Sequence, residues 1–236
     1  MLDITNRQVQ VFNPDLSPKF SKYLGAGQSN FHSLAVCCKY YDRIVTLETV
    51  PSIRLSVYSL FDPGKKSAKL VREFTNPNLK NPKAIATNLQ GKILVADAKL
   101  MQVLLFNEFG GCQRRISCPG LVYPSSIETV GQDILISDYL AHQVMVYDYS
   151  GTLLRKLGGP GICTRPLRVL LSSKGQIIVA DRQDRQLKVT VFTNEGRLVG
   201  TIKTKNIGPV KDVALAQNGK LIVTSMNYRI YFLKTE

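Results

Sequence analysis

A six-bladed β-propeller, all-β, is the fold this sequence predicts, on three observations that keep one period. A phrase recurs along the chain: ILVADAKLMQVLLFN from Ile93, ILISDYLAHQVMVYD from Ile134, IIVADRQDRQLKVTVFT from Ile177 and LIVTSMNYRIYFLK from Leu221. Each copy is a short apolar run, an acidic or polar break, a variable loop and an alternating run, and the copies lie roughly 40–45 residues apart, the length of a propeller blade. Prolines punctuate at the same interval, with Pro82, Pro124 and Pro166 ahead of KAIAT, SSIETV and LRVLLSS, and Pro209 ahead of VKDVALA. Proline fixes φ and donates no hydrogen bond, which suits the mouth of a strand. Turn chemistry follows the alternating runs at Asn107–Gly111, Ser150-Gly151 and Asn194-Glu195-Gly196, where Asn, Ser and Gly close hairpins.

The repeating unit therefore reads as an opening strand a, an inner strand b, a loop, a strand c, a turn and an outer strand d. Strand c recurs at Gln8–Phe12, Ile53–Tyr58, QVLLF, QVMVY, LKVTVF and RIYFL. Complete a and b strands precede only the last five. Met1–Thr5 resembles the tail of a strand b, so residues 1–24 are expected to form an incomplete first blade, lacking its first ~25–30 residues by blade length. Residues 25–236 hold five further blades, near 30–76, 82–118, 124–159, 166–204 and 209–236, the last ending after its strand c. The whole chain, 1–236, is one propeller domain in this reading. A five-bladed ring closed by the first strands is the alternative. The second blade has the longest c–d connection, SLFDPGKKSAK, as expected of an insertion at a surface hairpin.

At 44% hydrophobic residues the chain can bury a large core. No apolar run approaches the ~20 residues of a membrane span, the N-terminus lacks the order of a signal peptide, and no membrane association is expected. Five cysteines, odd in number and without a CxxC, read as reduced thiols of an intracellular protein. The charge is the second large signal. Thirty-one Lys and Arg against seventeen Asp and Glu give +14, and such a balance points to a polyanionic partner, nucleic acid first. Catalysis is not expected: two histidines, His32 and His142, fall on different blades, no carboxylates cluster at the strand starts, and no Ser or Cys has a recognisable base. No cofactor or metal is expected either.

In a propeller the b–c and d–a loops emerge on one face. Those loops carry Lys83 beside Pro82, Lys99 after VADA, Tyr123 before Pro124, Tyr139 after ISD, Arg165 before Pro166, Arg182 and Arg185 after VAD, and Asn227 and Tyr228, with Phe31 at the matching position of the second repeat. Cations alternating with aromatics suit single-stranded nucleic acid, since guanidinium and ammonium groups meet phosphates while rings stack on unpaired bases. No element suited to a duplex groove is evident.

VADAKLMQVLLF, ISDYLAHQVMVYDYSGTLLRKLGGPGI and IIVADRQDRQLKVTVFTNEGRLVGTI, closed by KDVALAQNGKLIVTSMNYRIYFLK, resemble the NHL repeats of the TRIM-NHL family over nearly the whole chain. The resemblance implies a six-bladed propeller that binds single-stranded, uridine-rich RNA on a basic face and represses translation of target messages in the cytoplasm, with Pumilio- and Nanos-type RNA-binding proteins as partners. Residue by residue, it places Lys83 where the family has an arginine, Lys99 on the matching loop lysine, and Tyr123 and Phe31 on base-stacking aromatics. Tyr139 and Arg182 stand in place of asparagines, Arg165 in place of a tyrosine, and Glu48 and Thr49 near a position that is basic in the family.

Other recurring residues read as structural. Asp97, Asp138 and Asp181 are expected to cap the b–c loops, His142 to hold a loop, and Phe106, Tyr147, Phe192 and Phe232 to pack at the ends of c strands. The competing function is a protein-binding propeller that recruits substrates to a TRIM-type ubiquitin ligase. No RING, B-box or coiled-coil pattern lies within these residues.

Overall fold

A computed structural model of the chain describes residues 2–3, 8–13, 17–24, 30–37, 39, 42–61, 64–216, 218–227 and 229–233. Among them every regular element is a strand and none is a helix, and the fold class is the all-β propeller. The strands form successive antiparallel sheets. The first contains β1 (Leu2–Asp3), β2 (Gln8–Phe12) and β3 (Pro18–Tyr23); the second β4 (Asn30–Val36), β5 (Arg43–Val50), β6 (Arg54–Ser59) and β7 (Lys69–Phe74). The third contains β8 (Pro82–Thr87), β9 (Ile93–Asp97), β10 (Gln102–Phe106) and β11 (Cys112–Ser117); the fourth β12 (Pro124–Val130), β13 (Asp133–Asp138), β14 (Gln143–Asp148) and β15 (Leu153–Gly158). The fifth contains β16 (Pro166–Leu171), β17 (Ile177–Gln183), β18 (Gln186–Phe192) and β19 (Leu198–Lys203); the sixth β20 (Val210–Leu215), β21 (Leu221–Ser225) and β22 (Ile230–Leu233).

Burial explains the composition of each strand. The b strands β9, β13 and β17 are covered on both faces, and their cores ILVAD, ILISD and IIVAD are buried throughout, as a continuous β-branched run requires. The outer strands β7, β11, β15 and β19 are largely exposed and carry Lys, Arg and Thr. Pairing also sets where the large c-strand rings go. Phe106 opposes Ile93, Tyr147 opposes Ile134 and Phe192 opposes Ile177, and all three rings are buried. In the last sheet it is Leu233 that opposes Leu221, so Phe232 sits one residue off that register. A one-residue offset turns a side chain to the opposite face, and Phe232 is exposed, contrary to the packing role expected of it.

Five sheets open on a strand of their own, β4, β8, β12, β16 and β20, so the blade count is five where the repeat phrase predicts six. Among the described residues the first sheet shows no such strand. Asp3 opposes Gln8 as Asp97 opposes Gln102 and Asp138 opposes Gln143, so β1 holds the register of a b strand's end.

The chain divides into two compact units, Met1–Ile116 and Ser117–Glu236. In the first, one apolar cluster joins Val9, Leu24, Phe31 and Ile44, and a second joins Leu47, Leu55, Val95 and Phe106. In the second, Leu135, Val144, Val169 and Phe192 form one cluster, and Leu187, Val210, Val213 and Val223 another. Each fills the space between neighbouring sheets, burying branched aliphatic side chains at about 1.5–3 kcal/mol apiece.

Candidate nucleic-acid interface

In β9, β13 and β17 a buried aspartate near the end of the strand ties down loops that carry expected binding residues. Asp97 accepts the amides of Lys99 and Leu100 at 3.0 and 3.1 Å, and those of Lys80 and Asn81 at 2.7 and 2.9 Å. Asp138 repeats the arrangement with Leu140 and Ala141 on one side and Val122 and Tyr123 on the other. Asp181 accepts from Thr164 at 2.8 Å and from Arg165. Asp97 and Asp138 thus cap their b–c loops as expected and also fix the loop leading into their own blade, whereas the backbone amides that Asp181 accepts are those of the leading loop. A main-chain bond closes each junction, from Ala98 to Asn81, Tyr139 to Tyr123, Arg182 to Arg165 and Met226 to Pro209. Charge-assisted bonds of this kind are about twice as strong as neutral ones, so the backbone is held and only the side chains remain to adapt.

Within the first unit, Glu48 takes the aspartate's place. It opposes Phe31 as Asp97 opposes Pro82, is buried, and receives Arg54 at 2.6 Å and Ser56 at 3.1 Å. Its charge is thus neutralised inside the sheet, and it does not oppose a phosphate at the loop surface. Lys99 is exposed on its pinned turn and Lys83 is half-buried at the start of β8. Phe31 is 3% exposed and packs with Val9, Leu24 and Ile44. The stacking role implied for it gives way to a core role, since the ring is buried in that cluster.

In the second unit the junction places Tyr123 and Tyr139 together, edge to face at 6.2 Å between centroids, with Tyr123 38% exposed. The next junction, Arg165 with Arg182, presents two guanidinium groups. Arg165 lies 3.9 Å from Asp184 across an exposed contact worth little in solvent, and Arg182 reaches the Met226 sulfur at 4.0 Å. Arg185 and Asn227 are exposed; the Asn227 carboxamide is held by the Ser225 hydroxyl. Tyr228 lies outside the described residues. His142 adopts φ 59°, and its Nδ1 is hydrogen-bonded to the Thr164 carbonyl, the structural role its sequence position indicates.

One set of residues was missed by the sequence argument. Each opening strand carries a β-bulge one residue after its first buried position, and the bulged residue is His32, Lys83, Ser125, Leu167 or Lys211. A bulge re-aims the side chain it inserts. Lys83, Ser125 and Leu167 each follow an opening proline, whereas His32 follows Phe31 and Lys211 follows Val210, so proline spacing points to three of the five. Among the described residues no group of His, Cys, Asp and Glu could hold a metal ion.

No protein-family model matches the chain. Protein brain tumor of Drosophila melanogaster is 30% identical over 239 residues, covering 98% of this chain. The B-box type zinc finger protein ncl-1 of Caenorhabditis elegans is 29% identical over 195 residues, covering 82% of it. The chain spans 22% of the length of each of these relatives. Solved structures share the fold at low identity: a protein of unknown function from Bacteroides caccae (TM-score 0.68, 15% identity, 94% of this chain and 81% of that one), a streptogramin B lyase (0.64, 13%, 89% and 70%) and a chain of a nidogen/laminin complex (0.69, 14%, 93% and 82%).

Proposed function

Because the chain belongs with the NHL-repeat propellers of the TRIM-NHL proteins, we propose that it binds single-stranded, uridine-rich RNA and acts in post-transcriptional repression. The observation that carries this reading is the junction itself: a buried carboxylate holds the backbone of paired loops whose side chains are Lys83 and Lys99 in one unit, and Tyr123, Tyr139, Arg165 and Arg182 in the other. Preorganised cations meet phosphates at little entropic cost, and a held ring accepts an unstacked base. The charge of +14 supports a polyanionic partner. We also read the opening three-stranded sheet as part of a sixth blade, and place the activity in the cytoplasm, with Pumilio- and Nanos-type proteins as candidate partners.

Filter binding to a uridine-rich single strand tests the proposal. The Lys83→Glu, Lys99→Glu double variant is expected to lose at least about tenfold in affinity, some 1.4 kcal/mol, with an unchanged melting temperature. Wild-type affinity from a folded double variant excludes these lysines from the site.

A further inference from the structure

Resting on that reading, we infer that His32 and Lys83 form a two-cation clasp for one phosphodiester of the bound RNA, so that binding tightens as the His32 imidazole takes up a proton. His32 enters from the backbone pairing. Phe31 opposes Glu48 and Ser33 opposes Leu47, leaving His32 as the bulged residue of β4; Pro82 opposes Asp97 and Ala84 opposes Ala96, leaving Lys83 as the bulged residue of β8. The two strands are neighbours in one compact unit, joined where the Thr87 hydroxyl donates to the Val36 carbonyl at 2.6 Å. Thr87 is four residues beyond Lys83 and Val36 four beyond His32, which sets the two bulged residues at one level. His32 is exposed and Lys83 half-buried.

The groups around His32 fit an anion and supply none. Burial, and after it the Lys83 ammonium from β8, hold the imidazole below its usual pKa. From β5 comes Glu48, buried and already engaged by Arg54 and Ser56. The first sheet contributes Val9 to the apolar cluster around Phe31, which Leu24 joins. Burial and the neighbouring ammonium both disfavour the charged ring, so without an anion His32 is neutral at pH 7.5. A phosphate seated between them reverses the sign: its charge draws the imidazole pKa up, and the protonated ring returns one more contact.

The test is RNA affinity at pH 7.5 and 5.5 over a salt series. For the wild type we expect about three- to tenfold tighter binding at pH 5.5, and a steeper salt dependence there, because the clasp then carries one more positive charge for salt to screen. His32→Gln should lose both increments, binding at pH 5.5 no tighter than it does at pH 7.5. His32→Lys should bind at both pH values as the wild type does at 5.5. His142→Gln, at the only other histidine, should keep both increments. Full increments in a folded His32→Gln protein overturn the clasp. A second measurement separates this inference from the RNA proposal: the His32 imidazole pKa, followed by NMR with and without sulfate, should rise with the anion. A rise with sulfate alone, in a protein that binds no RNA, supports the clasp and refutes the RNA reading. RNA binding that leaves the His32 pKa in place refutes the clasp and leaves the RNA reading standing.

Discussion

Asp138 is buried without a cationic partner of its own in the sheet, and its two oxygens take the amides of Val122, Tyr123, Leu140 and Ala141. Replacing it with Ala strands those donors, so Asp138→Ala is expected to destabilise the protein by about 3 kcal/mol, and Asp138→Asn, which keeps one acceptor oxygen, by about half that. Urea unfolding measures both, and an alanine variant as stable as wild type would show that the loops do not depend on the carboxylate. Glu128 presents the opposite case. Burial raises its pKa, and the backbone amide of Thr129 and the charge of Arg168 only partly offset that. A carboxyl whose folded pKa lies above its unfolded value contributes stability that is complete below the unfolded pKa and is lost as pH rises through the folded one. Glu128→Gln is therefore expected to be more stable than wild type at pH 7.5, with the gap closing toward pH 4 in pH-dependent urea melts. An unchanged gap across that range removes the titration as its cause.

The strands themselves were legible because hydrophobic period, proline and turn residues agree at each blade. The opening strands show where legibility ends. Pro82, Pro124, Pro166 and Val210 are all buried, and Phe31 occupies the same inward place, so a search for aromatics at blade openings finds a core residue and overlooks His32 beside it. Periodicity cannot resolve this, because a bulge adds one residue and reverses which neighbour faces out. Phe232 failed by the same one-residue margin. The outer strands raise a different point. In β19, Leu198, Val199 and Ile202 are about half exposed along a strand that, among the described residues, pairs with β18 alone, and apolar edges template association. Val199→Lys should reduce light scattering on heating while changing stability by no more than about 0.5 kcal/mol, the usual range for a surface site. Equal scattering from the variant means that association, if it occurs, uses another surface.

For the molecule as a whole, +14 determines how much any binding result can mean. The charge was legible from composition; the identity of its partner was not, because net charge describes a field and not a site. A protein this basic retains any polyanion at low salt, so heparin, duplex and single strand will all bind. What separates recognition from attraction is the aromatic pair. Tyr123 and Tyr139 meet edge to face, with the Tyr123 amide anchored to Asp138, which leaves ring surface that a base can cover only after leaving its own stack. Stacking of that kind contributes roughly 1–3 kcal/mol per base and is nearly independent of salt, whereas the phosphate contribution falls as counterions are added. Tyr123→Ala is thus expected to weaken binding to a uridine-rich single strand by at least about 1 kcal/mol, to leave heparin retention unchanged, and to show its largest fractional effect at high salt, where wild type should also prefer single strand over duplex of equal length. If the variant binds as wild type does, and duplex competes equally at every salt concentration, the tyrosine pair does not read bases and the positive field alone accounts for binding.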